Sequence, residues 1–261
     1  LTFTGGVFTN LTHDHLDYHL TFANYLNAKK AFFDSLGSEA FALINADDRN
    51  GSVMVQNCKA AKKKYSLTKM ADFRCSVSEH RLDGMMLKID GKEVWTTFIG
   101  DFNAYNLLAV YATTRLLGSE PDEVLRILST LMPVAGRLEI IKSPSGKTGL
   151  VDYAHTPDAL KNVIDTINRI RQGSVKLITI VGAGGDRDRT KRPLMAAIAA
   201  TGSDKVILTS DNPRTENPES ILDQMEAGLD PVLRRKMVRI TDRHSAIRTG
   251  VMMLLALARL M

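Results

Sequence analysis

The chain has 261 residues, of which 44% are hydrophobic and 24% charged, and carries a formal net charge of +5. That length can bury a full core, and two ordinary domains are expected. Cys58 and Cys75 fall in no CxxC spacing, which argues against a disulfide scaffold and for a reducing compartment. A pI near 9.2 suits nucleic acid, but equally an enzyme whose substrates carry phosphates and carboxylates. The clearest cationic cluster, Arg187, Arg189, Lys191 and Arg192, is interleaved with Asp186 and Asp188 and follows an apolar strand. It reads as a binding loop rather than a basic tail, so no nucleic-acid partner is expected. The longest apolar stretch, Val251 to Ala258, is far short of the roughly 20 residues of a membrane span, and no signal-peptide pattern opens the chain. A cytoplasmic protein is expected, and Leu1 to Phe8 reads like an interior strand and turn, so the chain is expected to begin mid-domain.

The first helical pattern runs from Ala28 to Leu36, followed by an apolar strand at Phe41 to Ile44 that ends in the polar turn Asn45-Ala46-Asp47-Asp48. Met85 to Ile89 and Glu93 to Phe98 are β-rich runs joined by Asp90-Gly91-Lys92, a three-residue hairpin connection. A helix over Ala104 to Leu117 is closed by Gly118, and Pro121 opens the next, through about Leu131. From Thr148 the chain alternates: strand Thr148 to Asp152, helix Pro157 to Gln172, strand Val175 to Val181, helix Lys191 to Thr201, strand Lys205 to Thr209, helix Pro218 to Leu229, a short strand near Val238 to Ile240, and a final helix. Such alternation predicts an α/β domain with a largely parallel sheet, separated from the first domain near Pro133 to Arg137.

Two nucleotide signatures are set aside. Gly146-Lys147-Thr148 resembles the end of a P-loop, but Ile141 stands where the pattern needs glycine, so a surface turn is expected. Gly182-Ala183-Gly184-Gly185 follows a strand, yet Arg187 occupies the third glycine position of a dinucleotide fingerprint, and NAD is not expected. Glycines after a buried strand still let backbone N–H groups approach an anion, with Arg187 as a planar cation; a solvated charged turn is the alternative. His13-Asp14-His15-Leu16-Asp17-Tyr18-His19 gathers three imidazoles and two carboxylates, and by itself fits a metal site and a hydrogen-bonded loop about equally.

With His15 set beside Tyr25-Leu26-Asn27-Ala28-Lys29, the chain resembles the Mur ligase family, which includes the folylpolyglutamate synthetases. In the same order follow Asn45-Ala46-Asp47-Asp48, Gly100-Asp101-Phe102-Asn103-Ala104-Tyr105-Asn106, Gly136-Arg137-Leu138-Glu139, Val151-Asp152-Tyr153-Ala154-His155-Thr156-Pro157, Gly184-Gly185-Asp186-Arg187-Asp188, Lys191-Arg192-Pro193 and Asp211-Asn212-Pro213-Arg214. Leu20 stands where the family often has glycine. The fold the resemblance implies is α/β: the C-terminal part of a central P-loop-type ATP-binding domain over residues 1–136, then a Rossmann-like amino-acid-binding domain over 137–261 with a mostly parallel sheet. The family's P-loop and uridine-nucleotide domain are expected upstream and a last pocket segment beyond Met261.

The activity implied is ATP-dependent amide-bond formation through an acyl phosphate, with Mg2+ as cofactor and ATP as a substrate. The partners implied are a UDP-N-acetylmuramoyl-dipeptide and meso-diaminopimelate, and a monomer is expected. His15 would ligate magnesium together with Lys29, which carbon dioxide converts to a carbamate; without the family, Lys29 reads as an ordinary surface lysine. Asn103 and Asn106 would reach the adenine, helix capping being the rival role for Asn103. Arg137 and His155 would face the phosphates, His155 also being a catalytic candidate. Asp152 would accept the ribose hydroxyls, or merely end a strand. Arg187, Asp211, Asn212 and Arg214 would form the amino-acid pocket, and Arg214 is the residue that lysine-adding relatives lack.

Overall fold

The computed structural model describes residues 1–12, 16–144, 146–171 and 175–257. Two compact units result, Leu1–Ala135 and Gly136–Met261. The first contains β1 (Gly5–Phe8), α1 (Leu16–His19), α2 (Phe22–Asp34), β2 (Phe41–Asn45), α3 (Gly51–Met54), β3 (Ala61–Ser66), β4 (Phe73–Arg81), β5 (Gly84–Ile89), β6 (Lys92–Thr96), α4 (Asp101–Leu116) and α5 (Pro121–Thr130). The second contains β7 (Glu139–Lys142), β8 (Thr148–Val151), α6 (Pro157–Ile170), β9 (Ile178–Val181), α7 (Lys191–Gly202), β10 (Lys205–Leu208), α8 (Pro218–Glu226), α9 (Pro231–Arg234), β11 (Met237–Arg239) and α10 (Arg243–Leu257).

In the first unit the six strands form one sheet in chain order. β1 through β4 pair in parallel and β4, β5 and β6 antiparallel. Parallel strands need apolar cover on both faces. β2 supplies it by alternation: Leu43 joins a core with Tyr65, Leu87, Leu107 and Leu108, whereas Ala42 and Ile44 join Phe8, Phe33 and Met54 on the other side. Helix α2 begins six residues before the sequence expectation, because Thr21 accepts a hydrogen bond from the Asn24 N–H and so caps it. The β5–β6 connection also differs. Lys92 pairs with Ile89, which leaves a two-residue turn in which Asp90 (φ 46°) and Gly91 (φ 88°) both take the left-handed conformation of a tight hairpin.

In the second unit β11, β10 and β9 form a parallel sheet in that order. Leu160 and Ile164 of α6, Met195 and Ala199 of α7, and Leu222 and Met225 of α8 pack against its Val181, Val206 and Leu208. Thr156 caps α6 and Pro157 occupies its first turn, as the sequence indicates. Strand β8 was expected to enter this parallel sheet; instead it pairs antiparallel with β7 in a separate two-stranded ribbon. Gly146 (φ 78°) and Lys147 lie in that hairpin's connection and feed a strand, not the helix a P-loop requires.

Candidate active site

The carboxyl ends of the parallel strands β1 and β2 of the first unit carry polar loops, the place where open α/β sheets bind ligands. After β2, Asn45 Nδ2 donates to the Thr9 carbonyl at 2.9 Å, and Asp48 Oδ2 accepts from the Leu11 N–H at 3.0 Å. Both bonds hold the segment that follows β1 and runs toward the histidine tract. His13, Asp14 and His15 themselves lie outside the described residues. Lys29 sits exposed on α2 and lines a cleft of about 260 Å3 with Phe8, Thr9, Asn10 and Phe33. Its Nζ lies 5.1 Å from the centre of the Tyr25 ring, and the His19 ring stacks on that tyrosine with centroids 5.0 Å apart. The adjacent Lys30 is buried and bound by both oxygens of Asp34, at 2.6 and 2.7 Å. Of the two neighbouring lysines, Lys29 is therefore the exposed one.

Asp47 is a residue whose role the sequence did not disclose. Its carboxylate accepts from Ser66 Oγ, Thr68 Oγ1, the backbone N–H groups of Leu67 and Thr68, and Tyr105 OH at 2.8 Å. Burial pushes its pKa up, but the bonds from Thr68, Ser66, Tyr105 and Leu67 outweigh burial and hold the group at about 2. Tyr105 lies between Asn103 and Asn106 on α4, so Asp47 ties the first turns of that helix to the ends of β2 and β3.

The two asparagines are placed differently. Gly100 (φ 90°) is the residue that precedes α4, so Asn103 does not cap the helix. Asn103 is buried, donates to the Ile99 carbonyl at 2.9 Å and accepts from Asn106 Nδ2 at 3.3 Å. Asn106 is exposed. The buried amide thus orients the exposed one.

In the second unit Arg137, Asp152 and His155 gather around Tyr153. The Arg137 guanidinium lies 4.9 Å from the centre of the Tyr153 ring, and His155 meets that ring edge-on at 5.1 Å. His155 Nδ1 is 3.1 Å from the Tyr153 carbonyl. Asp152 accepts from the N–H groups of Leu138 and Ala154, both at 2.8 Å, so its carboxylate is fixed beside the residue that follows Arg137. Each carboxylate oxygen keeps a lone pair for a hydroxyl. Tyr153 is 63% exposed, too open to be a core residue, and its exposure between two bound neighbours was the missing signal.

The loops after β9 and β10, which are parallel neighbours, carry the remaining candidates. A Cβ added at Gly184 would lie 3.0 Å from Arg214 Nη1, 3.7 Å from the Asn212 carbonyl and 4.0 Å from Arg187 Cγ. The three residues therefore converge on one backbone position. At Gly182 the same construction meets Asp211 Cβ at 3.0 Å. The Gly185 N–H donates to the Asn212 carbonyl at 2.8 Å, and Arg214 Nη1 donates back to the Gly185 carbonyl at 2.5 Å. Arg187, Asp211, Asn212 and Arg214 are all exposed.

With a lysine-lined cleft in its first α/β unit, and an Arg-Asp-His group and a pair of arginine-bearing loops in its second, the chain has the polar clusters of an enzyme, and it belongs to the Mur ligase family. Residues 1–114 match the Mur ligase middle domain and residues 136–257 the Mur ligase glutamate ligase domain. The chain is similar to the UDP-N-acetylmuramoyl-L-alanyl-D-glutamate--2,6-diaminopimelate ligases of Phocaeicola vulgatus (57% identical over 253 residues) and Bacteroides fragilis (54% over 253 residues), in each case over 97% of this chain and 52% of the relative. It thus spans about half the length of the curated relatives it matches. A solved structure of a ligase of that name is 36% identical with a TM-score of 0.59, over 94% of this chain and 51% of that one. MurF from Acinetobacter baumannii (14% identical, TM-score 0.77, 97% of this chain and 54% of that one) and a folylpolyglutamate synthase from Mycobacterium tuberculosis (18%, 0.74, 96% and 57%) share the fold.

Proposed function

We propose that the protein carrying this chain is a cytoplasmic, ATP-dependent, ADP-forming ligase that adds meso-diaminopimelate to UDP-N-acetylmuramoyl-L-Ala-D-Glu during peptidoglycan precursor synthesis. The observation that carries the choice of amino acid is the convergence of Arg187, Asn212 and Arg214 on Gly184. Diaminopimelate differs from lysine by a carboxylate on its far end. A guanidinium presents a planar fork to such a group, and would be left without its partner when lysine occupied the site.

In this reading ATP phosphorylates the D-glutamate side-chain carboxylate, and the amine of diaminopimelate then displaces phosphate from the acyl phosphate. Asn106, oriented by Asn103, reads the adenine edge; Asp152 accepts the ribose hydroxyls; Arg137 and His155 face the phosphates, where positive charge offsets the charge that phosphoryl transfer spreads over oxygen. Asp211 completes the amino-acid pocket beside Gly182. The donor set suits a hard cation: carbon dioxide would turn the exposed Lys29 amine into an oxygen anion, and Lys29 with His15 would hold Mg2+. Magnesium supplies charge neutralisation at the phosphate oxygens.

The test is ADP release by the full-length protein in the presence of the UDP-linked dipeptide and one amino acid at a time. Diaminopimelate should support release and lysine or glutamate should not. Preference for lysine would move the assignment to the lysine-adding ligases, and preference for glutamate to the folylpolyglutamate type.

A further inference from the structure

Arg192 is the largest fully buried side chain among the described residues, at 0% exposure, and Glu216 beside it is 12% exposed. The guanidinium meets the Glu216 carboxylate through two bonds, Nη1 to Oε2 at 2.9 Å and Nη2 to Oε1 at 2.7 Å. Nη1 also donates to Gln224 of α8 at 2.7 Å, and Nη2 to the Gly184 carbonyl at 3.1 Å. Glu216 in turn accepts from the Asp186 N–H at 2.6 Å and lies 3.3 Å from Arg189. One ion pair therefore joins α7, α8, the loop after β9 and the loop after β10.

The two loops it joins are not relaxed. Asp186 (φ 51°) and Arg214 (φ 50°) both hold left-handed backbones that a side chain disfavours, and Asp186 further bonds Thr215 Oγ1 at 2.8 Å. Such conformations persist only where the surroundings over-determine them. The Arg192–Glu216 pair bonds Gly184 and Asp186 of one segment, and its own Glu216 belongs to the other, two residues beyond Arg214.

We infer that Arg192 and Glu216 are positioning residues for amino-acid selection: their buried ion pair fixes the backbone from which Arg187 and Arg214 reach the distal carboxylate of the incoming amino acid. The inference rests on the ligase reading above. It predicts a loss confined to one substrate, because the pair braces the loops after β9 and β10.

The test uses the full-length protein with Arg192→Lys, Glu216→Gln and the milder Gln224→Ala, which removes one guanidinium partner and leaves the pair itself. Arg239→Lys serves as a control, since Arg239 forms an equally dense cluster with Glu219, Asp223 and Glu226 but touches neither loop. KM for diaminopimelate should rise about tenfold or more in Arg192→Lys and Glu216→Gln and about threefold in Gln224→Ala, with kcat at saturation and KM for ATP within about twofold. Arg239→Lys should lower Tm and leave KM for diaminopimelate unchanged. An unchanged KM for diaminopimelate in the folded variants, or parallel losses for ATP and the amino acid that follow Tm alone, would overturn the inference. If wild type shows no diaminopimelate-dependent ADP release, the ligase reading fails instead.

Discussion

At Leu20 the backbone takes φ 65°, and the side chain is 78% exposed. That conformation explains why family members often carry glycine here. A left-handed non-glycine residue costs about 1–2 kcal/mol, partly offset by the roughly 0.5–1 kcal/mol that glycine loses in chain entropy on folding. Leu20→Gly should raise unfolding stability by up to about 1 kcal/mol in denaturant titration. A loss of stability would mean that the leucine packs in a way its exposure denies. Lys29 gives a second residue-level expectation. Protein equilibrated with 13C-labelled carbon dioxide should show a carbamate carbon signal in NMR that Lys29→Arg abolishes and Lys30→Arg, which retains a partner for Asp34, does not. The reverse pattern would place the modification on Lys30.

Among elements, the strand-end loop Asn45 to Asp48 was legible as a polar turn after an apolar strand, because hydrophobic run and loop composition are local properties. What the loop does was not legible. Its partners Thr9, Leu11, Ser66, Thr68 and Tyr105 are up to 58 residues distant in sequence, and no periodicity announces a hydrogen bond across a sheet. Asp47→Ala would leave Tyr105 OH and the Leu67 N–H without their acceptor and should cost about 2–3 kcal/mol of stability by urea unfolding. A change below about 0.5 kcal/mol would show that water replaces the carboxylate freely. The same distinction separates the expectations for the second unit. Thr156, Pro157 and the apolar face of α6 fix that helix locally, whereas the pairing of β8 with β7 depends on which strand lies beside it, and alternation alone assigned it to the wrong sheet. The site motifs, which include Asp47, Tyr153 and Arg192, were read by resemblance, but what these three residues bind emerges only from contacts in space.

For the molecule as a whole, three carboxylates among the described residues are held at about 2. Burial raises Asp47 and Asp204, but hydrogen bonds outweigh it: those on Asp47 already described, and for Asp204 the Leu177 N–H, Arg171 and Lys176. Glu216 is lowered by Arg192 and the Asp186 N–H. Each folded pKa lies below the unfolded value near 4, so the folded state binds fewer protons than the unfolded state in that interval. The stability they contribute is therefore complete above about pH 5 and is lost as pH falls through 4 toward 2. Tm measured from pH 7 to pH 2.5 should hold level and then drop below about pH 4; a Tm that rose on acidification would reverse the sign. No helix among the described residues is long and apolar enough to cross a membrane.

The central claim is the proposal that Arg187, Asn212 and Arg214 select diaminopimelate as the incoming amino acid. The direct measurement is mass spectrometry of the product formed when the full-length protein, ATP, Mg2+ and the UDP-linked dipeptide are supplied with equal amounts of meso-diaminopimelate and lysine. The account predicts a product carrying diaminopimelate almost alone, with that bias lost in Arg214→Ala. A product carrying mainly lysine would contradict it.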